Sequence, residues 1–219
     1  MSKITVTAFR WVPPFAQGLV RDLRVRWALE EAGLAYEERL IGPDDQNTPA
    51  HRQRQPFGQV PVLEQDGLTL FESGAIVLHI AEQSPVLLPS AVDARLRVRT
   101  WMFAALSTVE PPILALNSLG MKTPTNDGVV PTREQVAGRV DQRLDSLAGF
   151  LEGKQYLEGD FSAADLLMTT VLRVLRDTDR VASRPVLRDY QERCESRPAF
   201  RRALAAQMSA FERHAPANA

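Results

Sequence analysis

The stretch QPFGQVPVLEQDGLTLFESGAIVLHIAEQ, residues 55–83, sets out a site as well as a fold. Val60-Pro61-Val62-Leu63 reads as a short buried strand, Asp66-Gly67 as a hairpin turn, and Leu68 to Phe71 as the returning strand. Glu72-Ser73-Gly74 opens a helix whose apolar residues Ile76, Val77 and Ile80 share one face. A proline at the head of a strand gives up a ladder hydrogen bond and leaves a backbone edge open. Such an edge can dock a peptide main chain to main chain. The unpaired N–H groups at the helix start, with the Ser73 hydroxyl, form a seat for a carboxylate, and Glu72 can hold an ammonium group. Edge, anion seat and carboxylate together describe a receptor for a small zwitterionic peptide.

Working outward, Ile4 to Phe9 alternates as a strand, and Leu19 to Ala32 carries a helical pattern closed by Gly33 as a C-cap. Tyr36 to Ile41 is a second strand, and His51 to Gln55 a short polar helix ended by Pro56. With the hairpin and its helix the order becomes β-α-β-α-β-β-α, a thioredoxin-like α/β domain over residues 1–83. Residues 84–90 form a Pro-punctuated linker, and 91–219 an all-helical domain. Residues 91–116 read as a long helix kinked or broken by Pro111-Pro112, and 132–152 as an amphipathic helix begun by Thr132. In Phe161-Ser162-Ala163-Ala164-Asp165, Ser162 is an N-cap answered by Asp165, and Phe161 is placed as a hydrophobic staple. The helix it launches, Leu166 to Leu175, is apolar nearly all round and so belongs in a core.

The chain has 219 residues, enough for two small domains, and a net charge of −1, which offers no basis for a nucleic-acid surface or an anionic membrane patch. One cysteine, Cys194, rules out an internal disulfide and a Cys-rich metal site. No apolar run approaches the ~20 residues that span a bilayer. A soluble, cytoplasmic protein without a metal is the expectation.

The motifs of 55–83 resemble the glutathione-binding half of the soluble glutathione transferases, in a bacterial form. That family is marked by G-x-V-P-x-L, a D-G turn and E-S-x-A-I, here Gly58, Val60, Pro61, Leu63, Asp66, Gly67, Glu72, Ser73, Ala75 and Ile76. Ala164-Asp165 and Arg197-Pro198-Ala199-Phe200 are similar to its helical-domain signatures, so the likeness covers nearly the whole chain. The resemblance implies a cis peptide bond before Pro61 and pairing of the Val60 backbone with the cysteinyl unit of glutathione. It implies Glu72 and Ser73 holding the γ-glutamyl group, a two-fold homodimer, glutathione as co-substrate and a role in detoxification. Gln59 could reach the peptide backbone. His51 and Arg52 could meet the glycyl carboxylate or lie on a solvated helix face.

One departure is consequential. A thiol attacks as its thiolate, and lowering its pKa by about two units requires roughly 2.7 kcal/mol of preferential stabilisation. The family supplies this with a Tyr or Ser hydroxyl, or replaces it with a Cys, after the first strand. This chain has no Tyr, Ser, Thr or Cys between Ala8 and Ala35. Three replacements are open: the Arg21 guanidinium near the helix start, the helix N–H groups unaided, or Arg10 swung inward from the strand end. Arg21 is the candidate catalytic residue, with an ordinary ion pair to Asp22 as the plainer alternative. Trp11 and Phe15, with Phe103 of the helical domain, are candidate pocket residues for an apolar co-substrate. Three activities fit: conjugation of glutathione to a small electrophile, glutathione-dependent disulfide reduction, or a binding protein that kept the fold without catalysis.

Overall fold

The computed structural model describes residues 3–121 and 130–216, with the backbone alone at 120–121 and 130–132. From the N-terminus run β1 (Ile4–Phe9), α1 (Asp22–Ala32), β2 (Glu37–Ile41), α2 (Pro49–Arg54), β3 (Val62–Gln65), β4 (Leu68–Phe71) and α3 (Ser73–Ala81). The order read from the sequence is the order observed. The strands lie β2-β1-β3-β4, with β2 parallel to β1 and the other pairs antiparallel. Asp66 and Gly67 have φ of 49° and 84°, both positive as a tight two-residue hairpin requires, and Gln65 pairs with Leu68 across the turn. Strand direction then decides where function can sit. The ends Phe9, Ile41 and Phe71 and the start Val62 meet at one rim of the sheet, and α1, α2 and α3 all begin beyond it.

The helices that follow are α4 (Val92–Ala104), α5 (Glu110–Met121), α6 (Val130–Leu151), α7 (Ala163–Leu172), α8 (Asp179–Ala182) and α9 (Pro185–Glu195). The interruption expected at Pro111-Pro112 falls just before them. A π-helical turn, Ala105–Val109, lies between α4 and α5 and leaves both prolines in the first turn of α5, where their missing N–H groups are not required. Helix α6 begins at Val130, and the expected start at Thr132 falls among residues whose side chains are outside the description. Helix α7 is buried at every residue, as its composition demands. Asp165 in its first turn accepts from the backbone N–H groups of Ser162 and Leu157, the Ser162 hydroxyl and the Tyr190 hydroxyl. Burial pushes its carboxyl up, and those donors pull it back. Cys194 is fully buried on α9.

On the surface of these helices, Arg180 and Arg184 both pair with Asp141 of α6. The hydrogen bond from Arg180, with its charge and that of Arg184, holds the Asp141 carboxyl below the usual carboxylate range. A lowered folded value means stability present above the unfolded value and lost as pH falls through the folded one. Asp141→Asn is therefore expected to lower stability by about 0.5–1 kcal/mol at neutral pH, and by less at pH ~3, below the unfolded carboxylate value. Urea melts at the two pH values check this, and equal losses at both would refute the assignment.

The last helix, α10 (Pro198–Arg213), runs along α1. Phe200 meets Trp27 edge-on with ring centroids 4.8 Å apart, Arg197 grips Glu31 at 2.6 and 2.8 Å, and Arg202 reaches Glu30 at 2.6 Å. Two compact units result, residues 1–88 with 196–219, and residues 89–195. The helical domain expected at 91–219 thus gives up its final helix to the first unit, because the apolar face of α10 packs on α1. The 84–90 linker is anchored rather than loose, with Leu87 and Leu88 buried. No helix among the described residues is long and apolar enough to cross a membrane, and no group of three metal-ligating side chains occurs among them.

Candidate functional site

The rim of the sheet is assembled from three loops. After β1, Arg10 donates to Asp45 at 2.8 Å, and Asp45 also accepts from the Gly42 N–H at 2.7 Å. Arg10 is therefore tied to the turn after β2. Trp11 is half-buried and Phe15 is 62% exposed on a short turn, Pro14–Ala16. The Gln17 side chain donates back to the Val12 carbonyl at 3.1 Å, and Gly18 takes φ of 73°, open to glycine without strain.

Arg21 occupies the N-cap position of α1 and is half-buried. The next residue, Asp22, is 1% exposed, with one oxygen 2.7 Å from Arg26 Nε and the other 2.8 Å from Gln207 Nε2 on α10. Gln207 also donates to the Val20 carbonyl at 3.2 Å. Burial pushes the Asp22 carboxyl up and Arg26 opposes it, while Asp22 and Glu38 hold Arg26 firmly protonated. Asp22 and Arg26 thus form a buried ion pair in the first turn of α1, directly after Arg21 at the N-cap.

The second loop carries Val60-Pro61, whose peptide bond is cis. Gln59 is exposed and Val60 buried. Helix α2 holds this loop: Arg52 donates to the Pro56 carbonyl and to Asn47 Oδ1, each at 2.7 Å, and His51 Nε2 lies 3.0 Å from the Gln59 carbonyl. Gly58 has φ of 66°, and a Cβ there would stand 2.8 Å from Arg52 Cζ and 2.9 Å from the Gln46 carbonyl oxygen. Only glycine fits.

The third loop enters α3. Glu72 is exposed with φ of 67°, a left-handed conformation costing about 1–3 kcal/mol for a non-glycine residue. Among the described residues nothing pairs with its carboxylate. Ser73 is 5% exposed, and its Oγ lies 3.2 Å from Arg24 Nη1. A guanidinium, itself 3% exposed, therefore stands behind the hydroxyl at the start of α3. No periodicity in the sequence separates Arg24 from its neighbours, so its burial is not legible there. His79 is satisfied by Gln65 at 2.9 Å and plays a structural part.

Arg21, Val60, Pro61, Gln59, Glu72 and Ser73, together with Trp11 and Phe15, thus lie on the loops of one rim. In the other unit, Trp101 stacks at 4.5 Å on Phe150 and donates to Glu158, Met102 is buried, and Phe103 is 67% exposed on α4.

Residues 16–82 match the family described as glutathione S-transferase, N-terminal domain. Over 197 residues the chain is 34% identical to glutathione S-transferase 4 of Zea mays, covering 83% of this chain and 82% of that protein. The chain belongs to the glutathione S-transferase family. Glutathione S-transferase F10 of Arabidopsis thaliana is 33% identical over 150 residues, 63% of this chain and 68% of that one. Among family structures, glutathione transferase F7 from Populus trichocarpa superposes with a TM-score of 0.79 at 26% identity, over 94% of this chain and 99% of its own. A glutathione transferase from Burkholderia graminis, with two glutathione molecules bound per subunit, gives 0.80 at 25% identity, over 93% and 88%. Family membership accounts for the fold.

Proposed function

We propose that this chain is a bacterial-type glutathione transferase that conjugates the glutathione thiolate to a small, largely apolar electrophile. The observation that carries the reading is the Val60-Pro61 edge and the Glu72-Ser73 helix start lying at one rim, in a chain of this family. Glutathione binds with its cysteinyl backbone on Val60, Gln59 alongside, its γ-glutamyl carboxylate on Ser73 and its ammonium on Glu72. The thiol proton leaves to solvent, the thiolate forms a sulfur–carbon bond, and the leaving group departs with its electron pair. Trp11 and Phe15 offer the electrophile an apolar wall.

Arg21 is the group that stabilises the sulfur. It stands at the N-cap position of α1, and a helix start by itself supplies only about 0.3–1 kcal/mol of the roughly 2.7 kcal/mol needed. Calorimetry tests the binding half, and chlorodinitrobenzene as electrophile tests the transfer. Glu72→Gln is expected to weaken glutathione by about tenfold, the size of one hydrogen bond to a charged group. An unchanged affinity would remove Glu72 from the site, and no uptake by the parent at millimolar glutathione would sink the reading.

A second reading, glutathione-dependent disulfide reduction, is favoured by the two glutathione molecules in the Burkholderia graminis relative and by the missing hydroxyl in this chain. Two glutathione thiols would be oxidised to one disulfide while the substrate disulfide takes up two electrons and two protons. A calorimetric stoichiometry of two with turnover of a disulfide selects it. We extend the proposal to a cytoplasmic homodimer with a detoxifying role. Val92 and Leu96, exposed one turn apart on α4, supply an apolar strip for the dimer, and a monomeric mass by sedimentation would count against it.

A further inference from the structure

The two ring nitrogens of His51 have opposite surroundings. The residue is 1% exposed. Nε2 is 3.0 Å from the Gln59 carbonyl oxygen, whereas Nδ1 is enclosed with no hydrogen-bond partner. A carbonyl oxygen can only accept, so Nε2 carries the proton and Nδ1 keeps a bare lone pair. A buried acceptor without a donor is a penalty that a phenyl ring of similar shape would avoid. What the imidazole adds over phenyl is therefore the bond to Gln59.

That bond has a directional consequence. The Gln59 carbonyl and the Val60 N–H belong to one planar peptide unit, and the only cis bond described is the next one, Val60-Pro61. In a trans unit the carbonyl and the N–H point to opposite sides. Drawing the Gln59 oxygen toward α2 aims the Val60 N–H the other way. Pro61 has no N–H, so this single donor and the Val60 carbonyl are what the edge offers at its head.

We propose that His51 is a positioning residue for glutathione: by donating from Nε2 to the Gln59 carbonyl it fixes the peptide plane that presents the Val60 N–H to the ligand backbone. The inference rests on Val60 being the pairing edge proposed above. Its thermodynamic effect falls on ligand docking rather than on folding, because the gain at Nε2 is set against the orphaned Nδ1.

The experiment uses the full chain with glutathione and chlorodinitrobenzene. His51→Phe keeps the ring shape, and His51→Gln restores a donor where Nε2 stood. The expected result is a rise in Kd and in KM for glutathione of about fivefold in His51→Phe, the loss of one neutral hydrogen bond, with kcat changed far less. His51→Gln is expected to recover most of it. A phenylalanine variant with the parent's KM, or a glutamine variant as impaired as the phenylalanine one, overturns the role. A parent that takes up no glutathione at millimolar concentration removes the pairing edge itself, and the role of His51 with it. Should His51→Phe fail to fold, nitrogen-15 spectra of the parent decide: the Nε2–H tautomer is required, and the Nδ1–H tautomer overturns the proposal.

Discussion

Arg21→Ala is expected to return the thiol of bound glutathione most of the way from about 6.5 to the free-thiol value of about 8.5. Arg21 stands at the N-cap of α1, and the helix start alone falls short of a two-unit shift. At pH ~6.5 the thiolate fraction should drop by roughly 50-fold. Turnover should drop less, by about tenfold, because the less acidic thiolate is the better nucleophile. The ultraviolet absorbance of the thiolate, followed across pH in the complex, reads the shift directly. Arg21→Lys should keep most of it as a point charge, and Arg10→Ala should leave it in place. A titration unmoved by Arg21→Ala would assign the sulfur to backbone N–H groups instead.

The largest loss of stability is expected from Asp165→Ala. Its carboxylate is 0% exposed and receives four hydrogen bonds, from Leu157 N, Ser162 N, Ser162 Oγ and Tyr190 Oη, at 2.9 to 3.0 Å. Removing it leaves buried donors in the approach to α7, in its cap and on α9 with no acceptor. The cost is about 3–5 kcal/mol, a large part of the 5–15 kcal/mol that holds a typical protein folded. Asp165→Asn keeps the shape but turns an amide N–H toward donors, so it should recover little. Urea unfolding of the two variants checks both statements, and a loss below about 1 kcal/mol for alanine would show that the network reorganises around other acceptors.

The elements and the motif residues of the rim were legible because each rests on a local rule. The Asp66-Gly67 turn demands positive φ, Gly33 closes α1 with φ of 67°, and the Ser162–Asp165 cap is written in four consecutive residues. The supporting contacts were not legible. Gln207 meets Asp22 across 185 positions and Arg24 meets Ser73 across 49, and neither pairing leaves a periodic trace. His51 sits in a polar run, PAHRQR, that reads as a solvated face, yet its side chain turns inward to a carbonyl eight residues on. The break at Pro111-Pro112 was visible as a break, but its form, a wider turn placed just before the prolines, depends on packing.

The first unit is built from two stretches far apart in sequence, since residues 196–219 complete what residues 1–88 begin. During synthesis the N-terminal segment emerges first and would ordinarily fold first. Here Trp27 waits for Phe200, and Asp22 for Gln207, until α10 has been made. The first unit therefore closes only after the second, residues 89–195, has been made. The first unit is the vulnerable one in transit: a stalled or shortened chain carries the whole 55–83 segment and lacks the helix that seats the start of α1.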